Sequence, residues 1–421
     1  MIDPQRRLDV VVFPLLSIIK CAEWDKTVQQ PVVSEGLSMA LRQHFGPTIA
    51  MAGLSFMLLT GGGEARAIES AAREALMIDF ETGAVLFEKN SNVLMPPASM
   101  SKIMTAYLVF ERIKEGRLSL DDKIPISEKA WRKGGSKMFV GLNSQVKVSD
   151  ILRGIIIQSG NDAAIAIAEA LEGSESAFAE KMTLKAHQLG MASSEFRNAT
   201  GWPDPEHRMT ARDLVTLATA TIRNFPEFYP MYSETTFTYN KIKQGNRNPL
   251  LYKGIGADGL KTGHTKAAGY GLTASVKRGE RRLVLVMNGL KDVRARTTES
   301  ESLIEWGFRE FDNYGFLKAG ETVETLNVWL GNAKTVPVVL EKDLRLTLRR
   351  SARKKIKLSV VAQEPVPAPI IKGQRIATLK VTGPGIETRE YPMLAAEDVA
   401  KLGMFKRVPA AVNYLLWGAG G

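Results

Sequence analysis

The pattern of hydrophobic and polar positions changes its period twice along the chain. Two β-prone runs, ALMIDF (75–80) and AVLFEKN (84–90), flank the turn residues ETG and predict a β-hairpin. A helix is predicted over about 98–116, directly after two prolines. From about 148 to 222 the apolar spacing is mostly helical, and the irregular stretch FRNATGWPDPEHRMT interrupts it.

Strand-like periodicity then returns. GYGLTASVKR and RRLVLVMNGL predict a second hairpin, and TTESESLIEWGFREF (297–311) predicts an amphipathic helix that closes the region. This order predicts an α+β domain over about 68–317, in which a helical part is inserted between parts of one antiparallel sheet. Short β-like runs separated by Pro and Gly predict a small all-β domain over 318–394, and 395–421 is predicted to be a helical tail.

The N-terminal region has the layout of a secretory signal. Arg42 follows Met39, an apolar stretch runs from about 48 to 60, and Ala65-Arg66-Ala67 provides a cleavage site. Residues 1–38 fit poorly ahead of such a signal, so we expect translation to start at Met39 and cleavage to follow Ala67. The apolar stretch is short for a membrane span, and an uncleaved anchor is the alternative. The mature protein is therefore expected outside the cytoplasm.

Composition limits the chemistry. The 421 residues are 44% hydrophobic and 24% charged, which is typical of a soluble globular protein with two or three domains. A single cysteine, Cys21, excludes an intrachain disulfide and a cysteine-rich metal site. The four histidines argue against a multi-histidine metal centre: His44, His187, His207 and His264. We expect neither a metal nor an organic cofactor.

The net charge of +11 has its densest contribution in RLTLRRSARKKIKL (345–358), which has seven basic residues and no acidic one. Such a run suits nucleic acid, an anionic membrane surface, or a solvated strand face. No known nucleic-acid motif accompanies it, so we expect no nucleic-acid partner.

Three short motifs carry the candidate chemistry. Ser-x-x-Lys occurs four times, at Ser17/Lys20, Ser99/Lys102, Ser144/Lys147 and Ser351/Lys354. Chance alone gives roughly one or two occurrences in a chain of this length, so the pair by itself establishes nothing. Ser159-Gly160-Asn161 and Lys261-Thr262-Gly263 occur once each, and only Ser99 precedes them at suitable spacing, by 60 and then 102 residues. This is the motif order of the serine penicillin-recognising enzymes.

Elementary chemistry agrees with this choice. A serine hydroxyl is a weak nucleophile that needs an adjacent base, and residues i and i+3 share a helix face, so Lys102 can reach Ser99. A lysine acts as a base only if burial or another cation lowers its pKa, and Lys261 is the natural candidate for that cation. A helix N-terminus at Ser99 also favours the negative charge that develops during attack.

Over about 74–417 the sequence resembles the low-molecular-mass penicillin-binding proteins of the D-alanyl-D-alanine carboxypeptidase type, in IDFETGAVLFEKN, PASMSKIMT, QSGNDAA and KTGHTKAAGYGLTAS. The resemblance implies a DD-peptidase/β-lactamase-like domain in which Ser99 attacks the penultimate D-alanine carbonyl of peptidoglycan stem peptides. It also implies that β-lactams acylate Ser99.

The same resemblance implies a role for each motif residue. The backbone N–H groups of Ser99 and His264 would form the oxyanion hole. Ser159 would pass a proton to the leaving amine, and Asn161 would hold Lys102 and the substrate amide. The substrate carboxylate would meet Thr262 and Gly263 of the Lys261 motif, with help from Arg247 and Arg296. These arginines could instead be ordinary surface residues, and the spacing from Arg247 to Lys261 is one residue shorter than usual.

Three other functions stay open. A class A β-lactamase would carry Ser-Asp-Asn and a deacylating glutamate, whereas Glu206 here is not in the Glu-x-x-x-Asn setting. Endopeptidase or transpeptidase action on cross-linked peptides can use the same residues. A non-enzymatic binding protein is the alternative from a different class.

The tail is predicted to attach the enzyme to the outer face of the cytoplasmic membrane. One apolar stripe recurs at helical spacing, and Lys401, Lys406, Arg407 and Trp417 suit the interface. The segment is too short and too charged to span a bilayer, and Pro409 would kink it. The alternative is that the stripe packs on the β domain. The stripe residues are Val399, Leu402, Phe405, Val408, Val412 and Leu415.

Overall fold

We describe the protein from a computed structural model, whose described residues are 6–10, 68–406, 408, 409 and 412. The predicted signal segment, with its start at Met39 and its cleavage after Ala67, lies outside these residues. Within the described residues the first ten strands are β1 (Arg6–Val10), β2 (Glu74–Asp79), β3 (Val85–Lys89), β4 (Lys123–Pro125), β5 (Gln145–Lys147), β6 (Thr236–Tyr239), β7 (Ile242–Gly245), β8 (Ala257–Thr265), β9 (Gly269–Arg278) and β10 (Arg281–Leu290).

Seven α-helices are present in the same part of the chain, with 3₁₀ turns at Ala98–Ser101, Tyr229–Ser233, Pro249–Tyr252 and Arg350–Lys355. The helices are α1 (Lys102–Lys114), α2 (Glu128–Arg132), α3 (Val148–Ile156), α4 (Asn161–Glu172), α5 (Glu175–Gln188), α6 (Ala211–Asn224) and α7 (Val293–Glu310).

The α+β domain predicted from the sequence is built on one antiparallel sheet. Its five strands follow the order β3-β2-β10-β9-β8, and both predicted hairpins, β2–β3 and β9–β10, belong to it. Helices α1 to α6 lie in sequence between β3 and β8, as the pattern predicted. The predicted α+β class, with a helical insertion in an antiparallel sheet, is therefore confirmed.

One hydrophobic core joins the helices to this sheet. Nearly the whole first part of α1 is buried, since every residue from Lys102 to Phe110 is inaccessible or nearly so. Its apolar side chains pack with those of α3, α4 and α6 and with β2 and β10 in the same cluster. A lysine at the head of so buried a helix lies in a low-dielectric surrounding, which determines its chemistry.

The C-terminal region is an all-β domain with its own core. Its strands form a second sheet, which β1 joins at β15, and the small β11–β14 ladder. Strand β11 ends at Leu317, before the predicted domain boundary at 318, and pairs with β14, which lies after it. The predicted boundary therefore stays a prediction. The strands are β11 (Phe311–Leu317), β12 (Thr322–Trp329), β13 (Thr335–Val339), β14 (Leu344–Arg349), β15 (Lys357–Ala362), β16 (Val366–Pro367), β17 (Arg375–Thr382) and β18 (Arg389–Ala395).

The predicted helical tail from residue 395 is wrong over its first part. Ala395 ends β18, and Val399 is 1% exposed because it bridges Ile370 and packs in the β-domain core. Helical residues begin at Met404. The predicted stripe is thus divided: Val399 is a core residue, whereas Phe405 is 96% exposed.

Val408 and Val412 are also exposed, at 68% and 50%. Leu415 and Trp417 lie outside the described residues. Among the residues that the structure describes, no helix is both long and apolar enough to cross a membrane.

The basic run 345–358 is partly engaged within the protein. Arg345 pairs with Glu81 at 2.9 Å, and Arg350 pairs with Asp312 at 3.1 Å. Lys354, Lys355 and Lys357 are exposed. Part of the run therefore links the β domain to the α+β domain, and the rest is a charged surface.

Candidate active site

Ser99 lies on the 3₁₀ turn that leads directly into α1, at the junction of the helical insertion and the sheet. Lys102 Nζ donates to Ser99 Oγ at 3.1 Å. Another Ser-x-x-Lys pair differs in its contacts: Ser144 Oγ donates to the Gly141 carbonyl, and Lys147 pairs with Asp121 on the surface. Of these two pairs, Ser99 and Lys102 are the one joined by a hydrogen bond within the described chain.

Lys102 is buried, with 1% of its surface exposed, and has two further partners. Its Nζ donates to Asn161 Oδ1 at 2.8 Å and to the Thr200 carbonyl at 2.5 Å. Burial is the main cause that lowers the pKa of Lys102 to about 7, and the positive charge of Arg247 is the second. A substantial fraction of this amine is therefore neutral at neutral pH, as a general base requires.

Lys261 is the cation that the sequence predicted to lower this pKa, and that role stays a prediction. The charge of Arg247 lowers the pKa of Lys102, and the pKa of Lys261 is itself lowered well below its ordinary value, in part by the charge of Lys102. Burial is the main cause for Lys261, followed by the charges of Lys102, Arg247 and Arg296. Lys261 is 2% exposed, and its Nζ donates to the Thr262 carbonyl at 3.0 Å.

Ser159 stands just before α4 in an unusual backbone conformation. Its φ is +60°, in the left-handed region that non-glycine residues seldom occupy. The side chain is 1% exposed, and among the described residues its Oγ has no hydrogen-bond partner. A strained residue with an unused buried hydroxyl is the pattern expected of a functional group rather than a structural one.

Asn161 begins α4 and connects the second motif to the first. Its Oδ1 accepts from Lys102, and its Nδ2 donates to the Gly134 carbonyl at 2.9 Å. The donation fixes the orientation of the amide, so the oxygen faces the lysine.

The third motif lies on β8, the edge strand of the sheet. A Cβ at Gly263 would be 2.8 Å from the Pro97 carbonyl, so glycine allows β8 to lie against the nucleophile turn. Thr262 is 5% exposed, and the exposed His264 ring packs against Tyr270 in a tilted arrangement, with the ring centroids 3.9 Å apart.

Both predicted arginines act on Lys261, because their charges lower its pKa. Arg247 Nη1 donates to Ser136 Oγ at 2.5 Å, and Arg296 Nη2 donates to the Arg247 carbonyl at 3.5 Å. Arg296 is 7% exposed, and among the described residues its Nε has no partner. None of Lys261, Arg247 and Arg296 is paired with a carboxylate within the described chain. Basic side chains without a counter-ion favour a bound anion, so Lys261, Arg247 and Arg296 are a candidate anion-binding surface.

Several residues that support the site were missed from the sequence. Asp162 is fully buried and accepts from the backbone N–H groups of Met138, Phe139 and Val140, which fixes the loop opposite the nucleophile. The Thr200 carbonyl, a partner of Lys102, comes from the irregular stretch after α5. A backbone carbonyl cannot be predicted from residue type. Asp162, the acidic residue directly after Ser-Gly-Asn, could have been recognised in the sequence as a supporting residue.

A cavity of about 670 Å³ adjoins the nucleophile turn. Its lining includes Pro97, Ala98, Gly201, Trp202 and Thr265. It therefore extends the site beyond Ser99.

The described residues contain no group of three or more His, Cys, Asp or Glu side chains placed to hold a metal ion. Glu206, the one glutamate weighed for a β-lactamase role, is exposed and pairs with Arg197 at 3.3 Å. A pairing at the surface does not suit a glutamate that must activate water at Ser99.

An antiparallel sheet with a helical insertion, and a serine–lysine pair at their junction, are the features of the serine acyl-transfer enzymes. Comparison with known proteins makes the class more specific. A family model described as D-alanyl-D-alanine carboxypeptidase matches residues 62–291, and one described as the C-terminal domain of penicillin-binding protein 5 matches 311–401. The chain belongs to the D-alanyl-D-alanine carboxypeptidase family, and the predicted enzyme class is confirmed.

Individual relatives agree. The chain is 39% identical over 347 residues to D-alanyl-D-alanine carboxypeptidase DacC of Escherichia coli (strain K12), covering 80% of this chain and 86% of that protein. It matches the crystal structure of penicillin-binding protein 5 from Haemophilus influenzae with a TM-score of 0.72 and 35% identity, over 79% of this chain and 99% of that one.

A third match is penicillin-binding protein D2 from Listeria monocytogenes, in its ampicillin-bound form. Its TM-score is 0.53 at 32% identity, over 57% of this chain and 98% of that one.

Proposed function

We propose that Ser99 is the nucleophile of this carboxypeptidase and that Lys102 is its general base. The observation that carries the proposal is the 3.1 Å contact between Lys102 Nζ and Ser99 Oγ, at an amine whose pKa burial has lowered to about 7. Two of the three Lys102 partners, Asn161 Oδ1 and the Thr200 carbonyl, can only accept hydrogen bonds. A neutral amine gives its two N–H groups to these acceptors, so its lone pair is left facing the Ser99 hydroxyl.

The reaction follows from this arrangement. Ser99 Oγ bonds to the carbonyl carbon of the penultimate D-alanine of a stem peptide, and its proton passes to Lys102 Nζ. The backbone N–H groups of Ser99 and His264 receive the oxyanion. When the intermediate collapses, the peptide C–N bond breaks and D-alanine leaves with a proton delivered through Ser159. Water then attacks the ester at Ser99, which releases the shortened peptide and restores the hydroxyl.

The anion-binding surface gives the reaction its carboxypeptidase character. The free carboxylate of the terminal D-alanine would be received by Thr262, Arg247 and Arg296, with Gly263 allowing the strand to approach. Arg296 supports this role best, because it is buried with an unpartnered Nε and no counter-ion within the described chain. A buried guanidinium in this state gains strongly from a carboxylate.

β-Lactams would react at the same hydroxyl. The Listeria relative that was solved with ampicillin supports this proposal for the present chain. Ser99 Oγ attacks the lactam carbonyl, the lactam C–N bond breaks, and the acyl group stays on Ser99 as an ester. Slow attack by water on that ester would account for inhibition.

We further propose that the enzyme is exported by the signal ending at Ala67 and acts at the outer face of the cytoplasmic membrane. The exposed apolar residues Phe405, Val408 and Val412 support an interfacial anchor that begins at Met404. The β domain, closed by Val399, would then hold the active site away from the membrane.

The experiment for the catalytic proposal measures release of D-alanine from a synthetic pentapeptide ending in D-Ala-D-Ala. Ser99→Ala should abolish release. Ser144→Ala, which removes the serine of another Ser-x-x-Lys pair, should leave it unchanged. Release that survives in Ser99→Ala would refute the assignment. Efficient cleavage of a cross-linked dimer with little release from the pentapeptide would favour endopeptidase action instead.

A further inference from the structure

A buried chain of hydrogen bonds behind Ser99 ends on the carbonyl of the preceding residue. Ser101 Oγ donates to the Ala98 carbonyl at 2.9 Å and lies 2.9 Å from His207 Nε2. On the other side of the ring, the Arg197 N–H donates to His207 Nδ1 at 3.3 Å. Ser101 is fully buried and His207 is 2% exposed, so water does not compete for these groups.

The order of the protons along this chain is determined. Because Nδ1 accepts from a backbone N–H, the proton of the neutral His207 ring is on Nε2. Nε2–H therefore donates to Ser101 Oγ, and the Ser101 proton points at the Ala98 carbonyl. Burial lowers the pKa of His207 to about 4, which keeps the ring neutral and the order fixed at neutral pH.

The Ala98 carbonyl and the Ser99 N–H are the two ends of one planar peptide unit. A hydrogen bond to the carbonyl therefore restrains the direction of the N–H. It also polarises the unit and makes the N–H a stronger donor, by about 10–30% on condensed-phase estimates.

This peptide unit needs restraint, because its backbone is unusual. Ala98 has a φ of +51°, a conformation that costs a non-glycine residue energy. From the other side, Gly201 presses so closely on the Ala98 carbonyl that a Cβ there would be 1.8 Å from its oxygen. The carbonyl is thus held between the Ser101 hydroxyl and the Gly201 backbone.

We propose that His207 and Ser101 are positioning residues for the oxyanion hole, acting through the Ala98–Ser99 peptide to aim and strengthen the Ser99 N–H. This inference rests on the proposed function, since the N–H matters to catalysis only if Ser99 is the nucleophile. Neither side chain is a hydrogen-bond partner of Lys102 Nζ, which bonds to Ser99, Asn161 and Thr200, so their effect should be separable from that of the base.

The test uses the infrared carbonyl stretch of the penicilloyl ester on Ser99, assigned with a ¹³C-labelled penicillin, together with the rate of acylation. A weaker oxyanion donor raises the stretching frequency and slows acylation. We expect both changes in Ser101→Ala and in His207→Leu, with acylation slowed about tenfold or more, since loss of a whole oxyanion donor costs about 10²–10³. His207→Gln, whose amide can donate to Ser101 and accept from Arg197, should largely restore both values.

Thr221→Val is the matched control. Thr221 is a fully buried hydroxyl that donates to the Leu217 carbonyl in α6, outside the site. Slower acylation with an unshifted carbonyl frequency in both Ser101→Ala and His207→Leu would overturn the inference, as would an equal effect in Thr221→Val. No labelling of the unmodified enzyme would instead overturn the proposed function itself.

Discussion

Lys102 Nζ lies 3.1 Å from Ser99 Oγ, at the buried head of α1, and this contact makes the active site sensitive to pH. Burial holds the pKa of Lys102 at about 7 in the folded protein, far below the usual value for a lysine. Protonated Lys102 cannot accept the Ser99 proton. The site therefore works with the neutral form, which predominates as the pH rises above about 7.

The first prediction is a pH profile. The rate constant for acylation by a penicillin should rise from about pH 5 to about pH 9, with its midpoint near the pKa of Lys102. Arg247→Gln removes a positive charge that lowers this pKa, so the midpoint should move to higher pH. Stopped-flow acylation at each pH measures both. Arg375→Gln, an exposed arginine in the β domain, should leave the midpoint in place. A midpoint that stays or falls in Arg247→Gln would reject this electrostatic account.

The second prediction separates activity from stability at Ser159. Ser159→Gly removes a hydroxyl that has no partner within the described chain and relieves a φ of +60°. Its melting temperature should equal or exceed that of the parent protein, because left-handed backbone costs a non-glycine residue about 1–3 kcal/mol. Release of D-alanine should nevertheless fall by about 10²-fold or more, the usual contribution of a proton-transferring group. A destabilised but active variant would show that Ser159 has a structural role.

The third prediction concerns the substrate carboxylate. A stem peptide amidated at its terminal D-alanine should lose kcat/KM by the equivalent of a charge-assisted hydrogen bond, about 1.5–3 kcal/mol. Arg296→Gln should hydrolyse the free peptide poorly and the amidated one almost as well as the parent enzyme does. This convergence distinguishes a carboxylate contact from general damage. If the parent enzyme and Arg296→Gln prefer the free peptide over the amidated one by the same factor in kcat/KM, Arg296 does not bind the substrate carboxylate.

The fourth prediction concerns the tail. Deletion of residues 404–421 should release the enzyme from membranes while D-alanine release continues, since the deletion starts after the β-domain core residue Val399. Phe405→Asp with Val408→Asp should act similarly, and Ile371→Asp is a control at an exposed apolar position outside the tail. Sedimentation with membrane vesicles measures the outcome. A truncated protein that still sediments would assign attachment to another segment.

The sequence was most informative where neighbours along the chain determine the result. The hairpins β2–β3 and β9–β10 and helix α7 follow from local periodicity, and Ser99 could be chosen because two further motifs follow it. Sequence could not show that the charge of Arg247 lowers the pKa of Lys102, since the fold brings these distant residues together. The sequence also could not show that Val399 belongs to the core of the β domain. Its bridging partner Ile370 is distant in the chain, and the apolar spacing around Val399 fits a helix equally well.

Buried support for the site was hidden for the same reason. His207 and Ser101 are separated by 106 residues. Ser101 fills an unspecified position of the Ser-x-x-Lys motif, and His207 belongs to no motif. The carbonyls of Thr200 and Ala98 carry no residue preference at all. Motifs therefore identify the reacting groups, whereas the geometry of their supports requires the structure.

The most direct test of the central claim is the site of covalent attachment of a penicillin. The intact protein should gain the mass of one penicillin molecule, and peptide mapping should place the adduct on Ser99. The adduct should be absent in Ser99→Ala, absent at neutral pH in Lys102→Ala, and present in Ser144→Ala. An adduct on Ser159 or any other residue, or one that persists in Ser99→Ala, would contradict the account.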